Sequence, residues 1–181
     1  MPYKLIIELS DRDLRQFRSE LRKSRASVSI ADDAEILSAA ADLIAAMQSA
    51  RLPDFVTWRL KKLEMMLAMV SDSEWTIANR ERSPVLAALA YLCDPEDIIH
   101  DDVPGVGLLD DAVMIELVAL ELRHEIEAYA DFECYRAAMP KPADGQDRNV
   151  TSKRRLEKRR KQLVARMRRR KAADQARGRT P

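Results

Sequence analysis

Seven acidic side chains crowd one short stretch of this 181-residue chain, the run YLCDPEDIIHDDVPGVGLLDDA from Tyr91 to Ala112. Asp94, Glu96, Asp97, Asp101 and Asp102 fall in the turn, His100 sits among them, and Asp110 and Asp111 close it. Oxygen-rich clusters of this kind suit hard cations, which take carboxylate and carbonyl ligands. Asp97, Asp101, Asp110 and Asp111 flank one turn from both sides and form a candidate site for Mg²⁺ or Ca²⁺. Their spacing is not that of an EF-hand loop. The same residues also suit helix ends and turns. Asp110 is placed to cap a helix, and Asp111 meets the positive end of its dipole. Asp94 precedes Pro95, which disfavours helix in the residue before it. Asp97 and Asp101 can accept backbone N–H bonds in turns, and Gly105 and Gly107 allow positive φ. This capping and turn assignment is the favoured one.

Both histidines follow a carboxylate by three residues, as Asp97/His100 and Glu121/His124. On a helix, Glu-x-x-His sets both ligands on one face, as in di-iron carboxylate bundles. A complete site of that type needs two further Glu residues, and His124 is expected at a helix surface or boundary. GVGLLDD lacks the third Gly and the preceding strand of a dinucleotide fingerprint. There is no P-loop, no HExxH and no Gly-x-Ser-x-Gly, and no nucleophilic triad is evident.

The elements that must position the acidic turn are helical. Only four Gly occur, and Ala, Leu, Glu, Lys, Arg and Met are abundant. Ser10, with Asp13 three residues on, opens a helix over Asp11–Lys23. A second runs from Asp32 to about Ala50, and a third follows Asp54 with Val56, Leu60, Leu63, Leu67 and Val70 on its apolar face. Trp75 and Ile77 begin a short helical piece. Ser83-Pro84 reads as a helix start, and Val85–Cys93 is apolar all round and therefore buried. The longest helix is expected from Leu109 to about Met139, ended by Pro140 and Pro142. Tyr3–Leu9 could form a strand, though without a partner to pair with. The expected fold is all-α: an irregular bundle of about five helices with a detached basic C-terminal helix. Its segments are an N-terminal helical region (1–55), a helical domain (56–139), a linker (140–150) and a basic tail (151–181).

Tyr91, Leu92, Pro95, Asp97, Ile99, Asp101, Pro104, Gly105, Gly107, Leu109, Asp110 and Asp111 match in register the pattern of the YkvA-like domain family, a group of small helical domains of unknown function. Residues 56–122 resemble that family. Some of its members look membrane-embedded, so the resemblance implies membrane association. Asp94, Glu96, His100 and Asp102 depart from the pattern, each making the turn more polar and arguing for a more water-exposed copy.

The formal net charge of +1 conceals a division. Residues 1–150 carry 17 Lys/Arg against 28 Asp/Glu, and residues 151–181 carry 14 against 2. An acidic body with a basic tail points to an anionic partner or to a tail that folds back on its own body. Lys153, Arg154, Arg155, Lys158, Arg159, Arg160, Lys161, Arg166, Arg168, Arg169, Arg170 and Lys171 form the candidate polyanion-binding set. Leu156, Leu163, Val164 and Met167 add a thin apolar seam, and disorder is expected beyond Lys171. Such a helix suits an anionic membrane surface. Binding to nucleic acid is the weaker alternative, because few aromatics lie near the tail for base stacking.

Cys93 and Cys134 lack metal-type spacing and read as buried, reduced thiols. The N-terminal residues do not resemble a secretory leader, and no stretch approaches the length of a spanning helix. The sequence therefore points to a cytoplasmic, non-enzymatic interaction or adaptor protein, peripheral to a membrane through its basic tail. The partner is an anionic membrane surface or another protein. The competing readings are a metal-dependent factor or enzyme centred on the acidic turn, and nucleic-acid binding by the tail.

Overall fold

A computed structural model describes residues 10–27, 32–49, 54–93, 109–140 and 150–178. Seven helices and no strand occur among them: α1 (Asp11–Ser27), α2 (Asp33–Ser49), α3 (Asp54–Ser71), α4 (Asn79–Leu92), α5 (Leu109–Glu121), α6 (Arg123–Ala137) and α7 (Val150–Ala176). The Tyr3–Leu9 segment lies outside the described residues. So does the acidic turn from Asp94 to Leu108, with Asp97, His100, Asp101 and Asp102.

Local chemistry accounts for the helix starts. At α1 the Ser10 N–H donates to Asp13 Oδ2 at 2.9 Å, and the Asp13 N–H returns a bond to Ser10 Oγ at 3.3 Å. This is a capping box with Asp in place of Glu. Asp32 Oδ1 accepts the Ala34 N–H at 3.2 Å and caps α2. Helix α4 begins at Asn79, before the expected Ser83-Pro84 start, and Pro84 lies inside it. The lost Pro84 N–H would have paired with the carbonyl of the exposed residue Arg80, which water can satisfy, so an early proline is tolerated.

The expected single helix from Leu109 to Met139 breaks at Leu122 into α5 and α6. Leu122 N still donates to Val118 O, and Ile126 N to Leu122 O, both at 2.9 Å, so hydrogen bonding crosses the break. The count of seven, against about five, follows partly from this bend.

The core is one continuous cluster drawn from α2 to α7. Val56, Leu60, Leu63 and Val70 of α3 are buried as their spacing predicts, joined by Met66 and Met69. Val85 to Leu89 are buried without interruption, so this stretch of α4 is apolar all round. Helices α1 and α2 lie on α4, and α3 lies beside α5. Lys62 Nζ meets Glu116 at 2.7 Å across that second contact. Arg82 joins three helices: it pairs with Asp33 Oδ2 at 3.0 Å and donates to the Val70 carbonyl.

The residues after α3 form a turn rather than the expected helical piece. Asp72 Oδ1 accepts the N–H groups of Glu74 (2.8 Å) and Trp75 (3.2 Å). This turn drives Trp75, fully buried, edge-on against Tyr129 (centroids 5.6 Å) and beside Phe132 (5.1 Å). Asp72 Oδ2 accepts the Tyr129 hydroxyl at 3.1 Å and lies 2.8 Å from Arg136 Nη1. Burial, reinforced by the Asp72 and Glu133 charges, pushes the Tyr129 phenol above its ordinary range, so it donates as a neutral hydroxyl.

Cys93 is half-buried and Cys134 is exposed. The second departs from the expected burial because its neighbour Phe132, two residues back, takes the core-facing direction. Replacing Asp72 by Ala should cost about 3 kcal/mol in urea denaturation, because it removes the cap of the Trp75 turn, the acceptor of the buried Tyr129 hydroxyl and one of the carboxylates that hold Arg136. Asp72→Asn keeps the cap and should lose less. Equal losses would mean that the cap contributes nothing beyond the charge on Asp72.

Candidate functional site

The basic tail is not detached, and its described residues just beyond Lys171 are helical rather than disordered. It forms the longest described helix, α7, which continues to Ala176 and lies along α6. Leu156, Leu163 and Met167, spaced seven and four residues apart, are buried at 3%, 1% and 3% exposure. That spacing gives one apolar seam of the coiled-coil type. A thin seam suffices because the flanking cations find carboxylates on the body.

Those carboxylates come from α6 and from the start of α4. Arg166 pairs with Asp131, and Arg170 Nη1 lies 2.8 Å from Glu127 Oε2. Arg123 Nη2 lies 2.9 Å from Asp174 Oδ2. Each pair steps back four residues in α6 as it steps forward four in α7, so the helices run antiparallel in one fixed register. In the last pair the charges are exchanged, with the cation on α6 and the anion on α7.

Beside this ladder, Lys171 pairs with Glu125, which is 1% exposed. Arg168 Nε reaches Glu81 Oε1 at 2.9 Å, and Glu81 is 6% exposed. Burial alone would raise the Glu81 carboxyl, but bonds from Arg168 and Arg80 hold it below its ordinary value. Arg160 Nη1 donates to the Thr76 carbonyl at 2.7 Å. Thr76 holds a φ of +34°, unfavourable for a β-branched residue. The Arg159 guanidinium stacks 5.4 Å from the Tyr135 ring.

The twelve predicted polyanion-binding residues therefore divide. Arg159, Arg160, Arg166, Arg168, Arg170 and Lys171 engage the body, and Lys161 pairs within α7 with Glu157 at 2.7 Å. Lys153 is exposed. Arg154, Arg155, Lys158 and Arg169 are exposed, and Arg154 is near enough to Glu157 of the same helix to help lower its carboxyl. A small cleft of about 370 Å³ lies between α7 and the Thr76–Ala78 segment, with Glu81, Arg160 and Arg168 in its wall.

Of the predicted cation site, Asp110 and Asp111 fall in the first turn of α5. Among the described residues, no group of three or more His, Cys, Asp or Glu is arranged to hold a metal ion. His124 is 6% exposed, not at the surface, and its Nε2 lies 3.1 Å from Asp174 Oδ2. It faces α7 because α7 covers that side of α6. Sequence reasoning missed Glu81, Glu125, Glu127 and Asp131 as partners of the tail. The one available signal was the matched four-residue spacing of Glu127/Asp131 and Arg166/Arg170.

Leu163→Ala should cost about 3 kcal/mol, and the loss should appear first as faster amide exchange in α7. Exchange unchanged in α7 would mean that the seam does not hold the helix. Acid should loosen α7 as well. A hydrogen bond from Arg123 lowers the Asp174 carboxyl, and Glu81 is lowered too. Depressed carboxyls stabilise docking at neutral pH, and that contribution disappears as pH falls through the carboxylate range. Protection of α7 should hold down to about pH 5 and weaken below about pH 4. Loosening from mildly acidic to neutral pH would contradict the assignment.

Comparison with curated proteins gives no match, and comparison with solved structures gives none either. One family model matches residues 84–117, from within α4 into α5. Helix α7 and its acidic partners lie outside that segment. The resemblance carried by Tyr91–Asp111 to YkvA-like domains is consistent with the match. Residues 84–117 thus carry the signature of the family described as "Protein of unknown function (DUF1232)".

Proposed function

We propose that this protein is a non-enzymatic helical interaction module that associates with anionic membrane surfaces through the outer side of α7. The observation carrying this reading is the division of charge on that helix. The inner cations meet carboxylates, whereas Arg154, Lys158 and Arg169 project from the opposite side with Arg155 beside them. At 100° and 1.5 Å per residue, those three residues form a row about 22 Å long on one side of the helix. A flat anionic surface can meet such a row without any rearrangement of the bundle.

Magnitude decides what kind of association this is. Each cation near an anionic leaflet contributes about 1 kcal/mol, so four give a weak contact. Screening beyond about 8 Å at physiological salt weakens it further, and the acidic body opposes it. The mode is peripheral: no described helix is long and apolar enough to cross a membrane. Helix α7 contains no aromatic residue, which favours a lipid surface over single-stranded nucleic acid as partner.

The full chain should sediment with vesicles containing about 30% phosphatidylserine and not with neutral ones, and about 0.5 M salt should release it. Arg154→Glu/Lys158→Glu/Arg169→Glu should reduce binding at least about tenfold with helix content unchanged. Equal binding to neutral and anionic vesicles, or an unaffected triple variant, would refute the reading.

A further inference from the structure

The side of α7 that would best anchor it in a bilayer is the side now turned to the body. Leu156, Leu163 and Met167 are buried against the rest of the chain. Arg166, Arg170 and Lys171 beside that seam are held by Asp131, Glu127 and Glu125. An amphipathic helix lies in a membrane interface with its apolar side toward the acyl chains and its cations among the phosphates. Docked α7 cannot present that side.

We infer that α7 has two mutually exclusive partners, the acidic face of α6 and an anionic lipid bilayer, and that it leaves the first to reach the second. This rests on the lipid-surface reading above and extends it to the hidden side of the helix. The two environments are alike in what they offer α7. Both remove Leu156, Leu163 and Met167 from water, so the apolar contributions largely cancel. Both offer oxygen anions to the same cations. The balance is therefore set by charge density: a few carboxylates on α6 against many lipid phosphates.

The ladder fits an exchangeable contact. The Arg166–Asp131 and Arg170–Glu127 pairs are about half exposed, so each is weak alone and yields to competing anions. Glu81, Glu125 and His124, now nearly buried, return to water when α7 departs. The Arg160 hold on the Thr76 carbonyl is released with them.

Two experiments on the full chain test this. In the first, Glu127→Cys and Arg170→Cys are joined by a short bismaleimide, with Cys93 and Cys134 replaced by Ser. Binding to phosphatidylserine vesicles is compared before and after joining. A loss of about tenfold or more on joining supports the exchange. Unchanged affinity overturns it and leaves the surface reading intact, since the outer row stays free. If neither form binds, and the native chain does not either, the surface reading itself has failed.

The second experiment needs no crosslink. Glu127→Gln/Asp131→Asn weakens the ladder, whereas Glu35→Gln/Asp42→Asn removes the same charge from exposed positions on α2. The ladder variant should bind vesicles about fivefold more tightly than this control, the effect of about 1 kcal/mol from two exposed pairs. Equal affinity of the two variants would overturn the exchange. A ladder variant whose gain appears with duplex RNA but not with vesicles would overturn the choice of lipid as partner.

Discussion

The buried carboxylate of Asp72 links parts of the fold that would otherwise be separate. One of its oxygens shapes the turn after α3, and the other receives Tyr129 and Arg136 from α6. That turn determines where Trp75 goes, and Trp75 is the largest side chain in the core with no exposure. One residue later the same turn presents the Thr76 carbonyl to α7. The geometry of α3, α6 and α7 around this corner follows from one charge with its hydrogen bonds filled. Arg136 fits the same corner: burial disfavours its charge, but Glu74, Asp72 and Glu133 more than offset that and hold the guanidinium protonated.

Helix α7 is held by different physics. Its contacts are numerous, and its exposed ion pairs are individually small. Its apolar seam is narrow, and only Glu81 and Glu125 among its carboxylate partners are deeply buried. Such an attachment is specific in geometry while remaining open to competition from other anions. The cations on its outer side and those on its inner side thus have distinct physical roles, although the sequence writes them as one basic run.

Much of the bundle was legible in the sequence because its helices carry clear periodic stripes. Ile36, Ala40, Ile44 and Met47 of α2 recur at three- and four-residue intervals and are buried. The boundaries were harder. Pro84 resembles a first-turn proline, yet the NRERS residues before it also form helix. Nothing local at Leu122 announces a bend, since its backbone hydrogen bonding continues. The docking of α7 was the main departure, because a run of Arg and Lys resembles a solvated face until its carboxylate partners are located. Those partners lie far away in sequence, and Glu81 is 87 residues from Arg168. His124 looked like a surface residue for the same reason: what covers it arrives fifty residues later, at Asp174.

The exchanged charges of the Arg123–Asp174 pair have a consequence for how α7 finds its place. Sliding α7 by four residues in one direction would set Asp174 against Glu127, and sliding it the other way would set Arg170 against Arg123. Either error brings like charges together, whereas a ladder of uniform sign would have tolerated both. A helix that leaves the body and returns therefore has a single favourable alignment to recover. The one acidic residue near the end of a basic helix acts as a position mark, and it makes docking repeatable as well as reversible.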